Sequence, residues 1–114
     1  FHVLLTTRTY MVGQVCIIQT TLPGSWLEAE VGAFCQQMLE AGAACVQHSA
    51  IHSIYRWGGE IEANAEWHLQ VKVTPTKREE IISTLEKQHP YEIPQIVWII
   101  AESTDDYSSW VESQ

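Results

Sequence analysis

A chain of 114 residues, 46% hydrophobic and 18% charged, has the size and composition of one globular domain and no room for a second core. Its net charge of −8, with 6 Lys and Arg spread thinly, excludes the basic stripe that a nucleic-acid backbone requires, and no apolar run approaches the roughly 20 residues of a membrane span. Cys16, Cys35 and Cys45 form no CxxC pair and each lies in an apolar run, which reads as free thiols in a reducing compartment, most simply the cytoplasm.

Residues 1–13 are set apart as an N-terminal extension, disordered or part of a leader, and residues 14–114 as the folded domain. If residues 1–10 are the remnant of a leader, an organelle replaces the cytoplasm. Gln14 to Thr20 is a short run of β-branched and apolar residues, a first strand that Pro23-Gly24 breaks. Ser25 stands three residues before Glu28 in the spacing of a capping box, and Leu27, Val31, Phe34, Cys35, Met38 and Leu39 follow at helical intervals. A helix from Trp26 to Ala41 is predicted, with Gly42 as its stop.

Ala43 to Trp57 is extended in character, and Gly58-Gly59 turns the chain. From Ile61 to Val73, apolar and polar residues alternate strictly, so a long strand with one buried and one wet face is predicted. The two arms form a hairpin much longer than the usual strand of about 5–6 residues. It would overhang the domain, and another copy of the chain is the simplest cover for its edges.

Thr76 with Glu79 gives a second capping box, opening a helix through Ile81, Ile82 and Leu85 that ends before His89-Pro90. Gln95 to Ile100 is almost continuously apolar and is predicted to be a buried last strand. Thr104-Asp105-Asp106 caps a short closing helix. The order is β-α-β-β-α-β with a C-terminal helix, and the helical crossovers are read as joining parallel neighbours. The fold class is α/β, an α+β sandwich of the ferredoxin-like kind.

Catalytic signatures are missing: there is no Gly-rich phosphate cradle and no nucleophile elbow, and Cys45 and His48 point to opposite faces of a strand. The chain is therefore read as no enzyme. His48 and His52 share a strand face, and His68 sits beside Glu66. Convergence of these histidines with Glu62 or Glu66 on a divalent ion would need a hairpin or subunit seam. In His89-Pro90-Tyr91-Glu92-Ile93-Pro94 two prolines stiffen the chain and fix where His89, Tyr91 and Glu92 point. That segment is either a rigid turn with Tyr91 packed on the sheet or the wall of a ligand pocket.

Ser53-Ile54-Tyr55-Arg56-Trp57-Gly58-Gly59-Glu60-Ile61, Glu66, Lys72-Val73-Thr74 and His89-Pro90-Tyr91-Glu92-Ile93-Pro94, in this order and spacing, resemble the CutA family of divalent-cation tolerance proteins. The resemblance runs from about Val15 to Trp110. It implies a tight homotrimer whose sheets continue between subunits through the long hairpins, akin in architecture to the PII signalling trimers with their intersubunit clefts. It also implies a role in the response to copper and other divalent ions, as a metal-binding or regulatory module. The alternative is a structural trimer that scaffolds a protein partner or holds a small molecule in those clefts.

The family's proposed ligands, a cysteine late in the first strand and two histidines before Pro-Tyr, fall here on Gln19, Gln88 and His89. His89 alone retains an imidazole, so copper or another divalent cation is expected to bind weakly, with no other cofactor. Tyr55, Trp57, Trp67, Tyr91 and Glu92 are the residues expected at the interface or pocket. The expected partner is the chain itself, with no nucleic acid and no membrane span.

Overall fold

The apolar alternation in the sequence becomes a four-stranded sheet in the order β2-β3-β1-β4, every neighbouring pair antiparallel. The computed structural model describes residues 12–114. It comprises β1 (Val12–Pro23), α1 (Glu28–Glu40), β2 (Cys45–Trp57), β3 (Glu60–Val73), α2 (Arg78–Gln88), β4 (Val97–Thr104) and α3 (Asp105–Glu112), with a 3₁₀ turn over Pro75–Lys77. The expected β-α-β-β-α-β order with a closing helix is present. The parallel strands are not neighbours, however. β1 and β2 run the same way but β3 lies between them, so each helical crossover spans an intervening strand.

Strand parity sorts the side chains between two faces. Cys16, Ile18 and Leu22 of β1 join Leu69, Val71 and Val73 of β3 under Val31, Phe34 and Met38 of α1 and Ile81, Ile82 and Leu85 of α2, all buried. Val15 points the other way and is covered, with Val111 and Ser108 of α3, on the opposite face. A side chain at Gly13 would run into Ser108, so α3 lies directly on the start of β1. Val12 and Gly13, set apart with the extension in the sequence reading, pair with Thr104 and Ser103 and belong to the sheet. The rest of that extension, residues 1–11, lies outside the described residues.

Helix starts differ from the two capping boxes read in the sequence. α1 begins two residues later than expected, with Leu27 as its first cap residue. The carboxylate of Glu30 accepts from the Leu27 backbone N–H at 2.8 Å, so Ser25–Glu28 is not the box. At α2, Pro75 instead starts a 3₁₀ turn and Lys77 takes the cap position, while Glu79 pairs with Arg78. Thr104 does cap α3, its hydroxyl accepting from the Tyr107 N–H at 3.4 Å.

The hairpin overhang is large. β1 covers β3 only from Glu66 to Val73, so residues 52–65 have only each other as sheet partners. The turn places Gly58 and Gly59 at φ +59° and +81°, a left-handed pair that only glycine adopts freely and that matches the twist of the arms. The projection gives the chain a radius of gyration of 17.7 Å and extents of 63 × 35 × 24 Å. A compact domain of this length would have a radius of about 13 Å. The alternation of β3 consequently buries only its inner half: Leu69, Val71 and Val73 are covered, whereas Ile61 is 71% exposed.

β4 departs furthest from expectation. Val97, Trp98, Ile99 and Ile100 were read as a buried strand, yet each is at least 42% exposed. β4 is an edge strand; Arg78 at the start of α2 reaches over the Trp98 ring, 5.6 Å from its centroid, yet leaves it 42% exposed. β4 therefore presents a contiguous apolar surface beside a strand edge unpaired among the described residues.

Candidate functional site

Thr20 occupies a core-facing position between Ile18 and Leu22 and is fully buried, which obliges its hydroxyl to find a partner. That partner is His89, whose Nε2 lies 2.9 Å from Thr20 Oγ1. The His-Pro step ends α2 by forcing His89 into an extended conformation, φ −69° and ψ 134°, which carries the ring over the end of β1. On its other side the ring accepts the Tyr91 backbone N–H at Nδ1, at 3.1 Å. A backbone N–H can only donate, so Nδ1 is the bare nitrogen, and Nε2 carries the proton that it donates to Thr20. Burial holds His89 below its usual pKa, against the opposing pull of the Thr21 backbone and Glu66, and so favours this neutral form.

From that anchor Tyr91 reaches round the sheet edge, its hydroxyl donating to Glu66 Oε2 at 2.7 Å. Burial pushes the Glu66 carboxyl up, but the hydroxyls of Ser53, Tyr91 and Thr21 outweigh it and hold it below its usual value, with His89 adding to the effect only when its ring is protonated. Tyr91 is displaced strongly upward by burial and by Glu66, so it stays a donor. Four residues from β1, β3 and the loop after α2 thus form one chain: Thr20, His89, Tyr91, Glu66.

This chain ends in a cleft of about 1080 Å³ that runs from the root of the hairpin outward along its arm, on the face away from α1 and α2. Tyr55, Trp57, Tyr91 and Glu92, all read from the sequence, line it together with Glu66 and Asn64. Asn64 donates to the Tyr55 hydroxyl at 2.6 Å across the hairpin. Trp67, expected at the interface or pocket, does not line this cleft: it faces the helices, packs on the core and donates its indole N–H to the Trp26 carbonyl at 3.0 Å.

The three positions inherited from the metal-site resemblance do not come together as a ligand set. Gln19 lies on the face opposite Thr20, between Gln70 and Val97, and Gln88 lines a separate small groove with Trp26 and Phe34. Both nitrogens of His89 are engaged, leaving no lone pair for an ion. His48 and His52 face the helix side, where His48 packs edge-on against Trp67 with ring centroids 5.8 Å apart, while His68 faces away with Glu62 and Glu66. Among the described residues no group of three or more His, Cys, Asp or Glu is placed to hold a metal ion. The donor set does not fit copper.

Thr20 completes the site without having been singled out, and Glu66 enters it in a different role from the metal partner of the strand histidines that the sequence offered. Thr20 had a legible signal, a polar residue at a core-facing strand position. Glu66 stands in the resemblance, but its contact with Tyr91 spans 25 residues and a change of sheet face.

A split β-α-β sandwich with a projecting hairpin, a bare apolar edge strand and a polar cleft at the hairpin root defines a subunit of the ferredoxin-like, PII-related class. The family profile of the CutA1 divalent ion tolerance protein matches residues 16–114, and the chain belongs to that family. The divalent-cation tolerance protein CutA of Thermotoga maritima is 33% identical over 97 residues, covering 83% of this chain and 93% of the relative. The structure of CutA from Synechococcus elongatus superposes with a TM-score of 0.81 at 30% identity, covering 96% of both chains. The PII-like protein CutA from Nostoc, in apo form, superposes at 0.70 with 31% identity, covering 86% of this chain and 94% of that one.

Proposed function

We propose that the protein serves divalent-cation tolerance as a homotrimeric, non-catalytic regulatory module whose working site is the cleft at the hairpin root. The observation that carries this reading is the pairing of two unsatisfied surfaces on one subunit. Residues 52–65 project with Ile54, Trp57 and Ile61 more than half exposed, and β4 presents Val97 to Ile100. A projecting arm and a bare apolar edge on the same chain are the two halves of a self-association in which one subunit's sheet continues into the next. The cleft lies along that arm, so assembly closes it.

Between the two readings offered by the sequence, a copper centre and an intersubunit cleft for a small molecule, the satisfied nitrogens of His89 favour the cleft. The module then responds to cations through what the cleft binds, not by holding copper at His89. Three free cysteines, two of them buried, support a reducing setting such as the cytoplasm. The Archaeoglobus fulgidus relative, at 31% identity and a TM-score of 0.76, is described as periplasmic.

Copper titration of the metal-free protein against a chromophoric chelator tests the reading. Binding no tighter than that of an exposed histidine is expected. A stoichiometric tight site that disappears in His89→Ala would overturn it.

A further inference from the structure

Glu66 is half-buried at the back of the cleft and carries its charge without a counter-ion. Among the described residues the one ion pair is Arg78 with Glu79, on the helix side. The partners of Glu66 are hydroxyls, which stabilise a carboxylate without neutralising it. Among the described residues the cleft supplies no cation either: no Lys or Arg lines it, and its second charged group is Glu92, another carboxylate. The remaining walls include the rings of Tyr55, Trp57 and Tyr91.

A negative charge set among aromatic rings matches one class of ligand. A bare divalent ion wants six or more oxygen ligands, or several imidazoles or thiolates, none of which is assembled here. An ammonium or guanidinium group needs only one carboxylate and gains further from the ring faces.

We propose that this cleft receives an organic cation, an ammonium or guanidinium group seated against Glu66 and flanked by the rings of Tyr55 and Tyr91. The inference rests on the reading of the cleft as the working site. The same chemistry has two sources, a free amine or guanidine solute, or a Lys or Arg side chain from a second copy of the chain. Arg56, exposed near the hairpin tip, has no ion-pair partner among the described residues.

The test uses the whole chain and Glu66→Gln, which preserves an acceptor for the Tyr91 hydroxyl while removing the charge. Calorimetric titrations with ethylguanidinium and spermidine, and with acetate and glucose as anionic and neutral controls, are run beside light-scattering mass measurements over a dilution series. If the cation is a free solute, a cationic probe binds saturably, Glu66→Gln weakens it at least tenfold, and the mass is unchanged. If it belongs to a neighbouring copy, no probe binds, and Glu66→Gln and Arg56→Gln each raise the concentration at which the assembly dissociates at least tenfold. Saturable binding of acetate or glucose, shifting the Tyr91 resonances, would overturn the cation and leave the cleft standing. No probe bound and no change in assembly with Glu66→Gln would overturn both.

Discussion

Replacing His89 by alanine removes a bridge between the core and the cleft. Two hydrogen bonds go, one to a fully buried threonine and one from the Tyr91 N–H. Each is worth about 0.5–1.5 kcal/mol, and a buried hydroxyl left without a partner adds to the cost. The ring also stands edge-on to Phe34 at 6.3 Å and tilted against Tyr91 at 5.2 Å, contacts that contribute about 0.5–1.5 kcal/mol beyond area burial. The expected loss is about 3 kcal/mol, a large share of the roughly 5–15 kcal/mol that holds a domain. Urea denaturation at fixed chain concentration measures it, because assembly makes apparent stability concentration-dependent. His89→Asn and His89→Gln separate the two bonds. Asn places an oxygen near Nδ1 for the Tyr91 N–H, and Gln places an N–H near Nε2 for Thr20, so each recovers part of the loss. A loss under about 1 kcal/mol for alanine, or no recovery in either amide variant, would refute the bridging role.

Stability should fall on acidification. His89 and Glu66 both titrate in the fold below their ordinary values of 6.5 and 4.5, so the unfolded chain binds more protons. Their contribution is present above those ordinary values and is lost as pH falls through the folded ones; a denaturation midpoint that stays flat or rises from about pH 7 to about 4 would contradict this. Trp57→Glu, at a position 57% exposed in the lone subunit, should lower the assembled mass while leaving the far-ultraviolet circular dichroism unchanged. An unchanged mass would count against the hairpin tip as an interface. Gly13→Ala should cost about 1–3 kcal/mol, because the added methyl meets Ser108 and lifts α3 from β1; a neutral denaturation midpoint would show that α3 is not seated there.

Elements that follow from periodicity were legible in the sequence. The thirteen-residue β3 alternation, the Gly-Gly turn and the His-Pro stop all appear where residue spacing placed them. Helix starts were less so, because a capping pattern is local and competes with others: Glu30 outcompetes Glu28, and Pro75 nucleates a 3₁₀ turn before Thr76 can cap. The exposure of β4 could not be read from Val97 to Ile100, since an apolar run looks the same whether its own chain or another covers it. In the site, Tyr91 and Glu92 were found because two prolines flag a rigid segment. Trp67, expected at the interface or pocket, does not line the cleft: its parity matches Leu69 and Val71 and therefore the helix side. The bridging role of His89 depends on which lone pair meets which donor, a matter of ångströms between residues 69 apart.

The proposed homotrimer makes each subunit incomplete alone: its projecting arm and bare apolar edge strand await a neighbour that also closes the cleft. Light scattering coupled to gel filtration over a dilution series tests this most directly. A mass three times that of the chain, maintained down to micromolar concentration and collapsing in a β4 variant such as Ile99→Lys, is the predicted result. A folded monomer at micromolar concentration, with Val97 to Ile100 open to solvent, would contradict it.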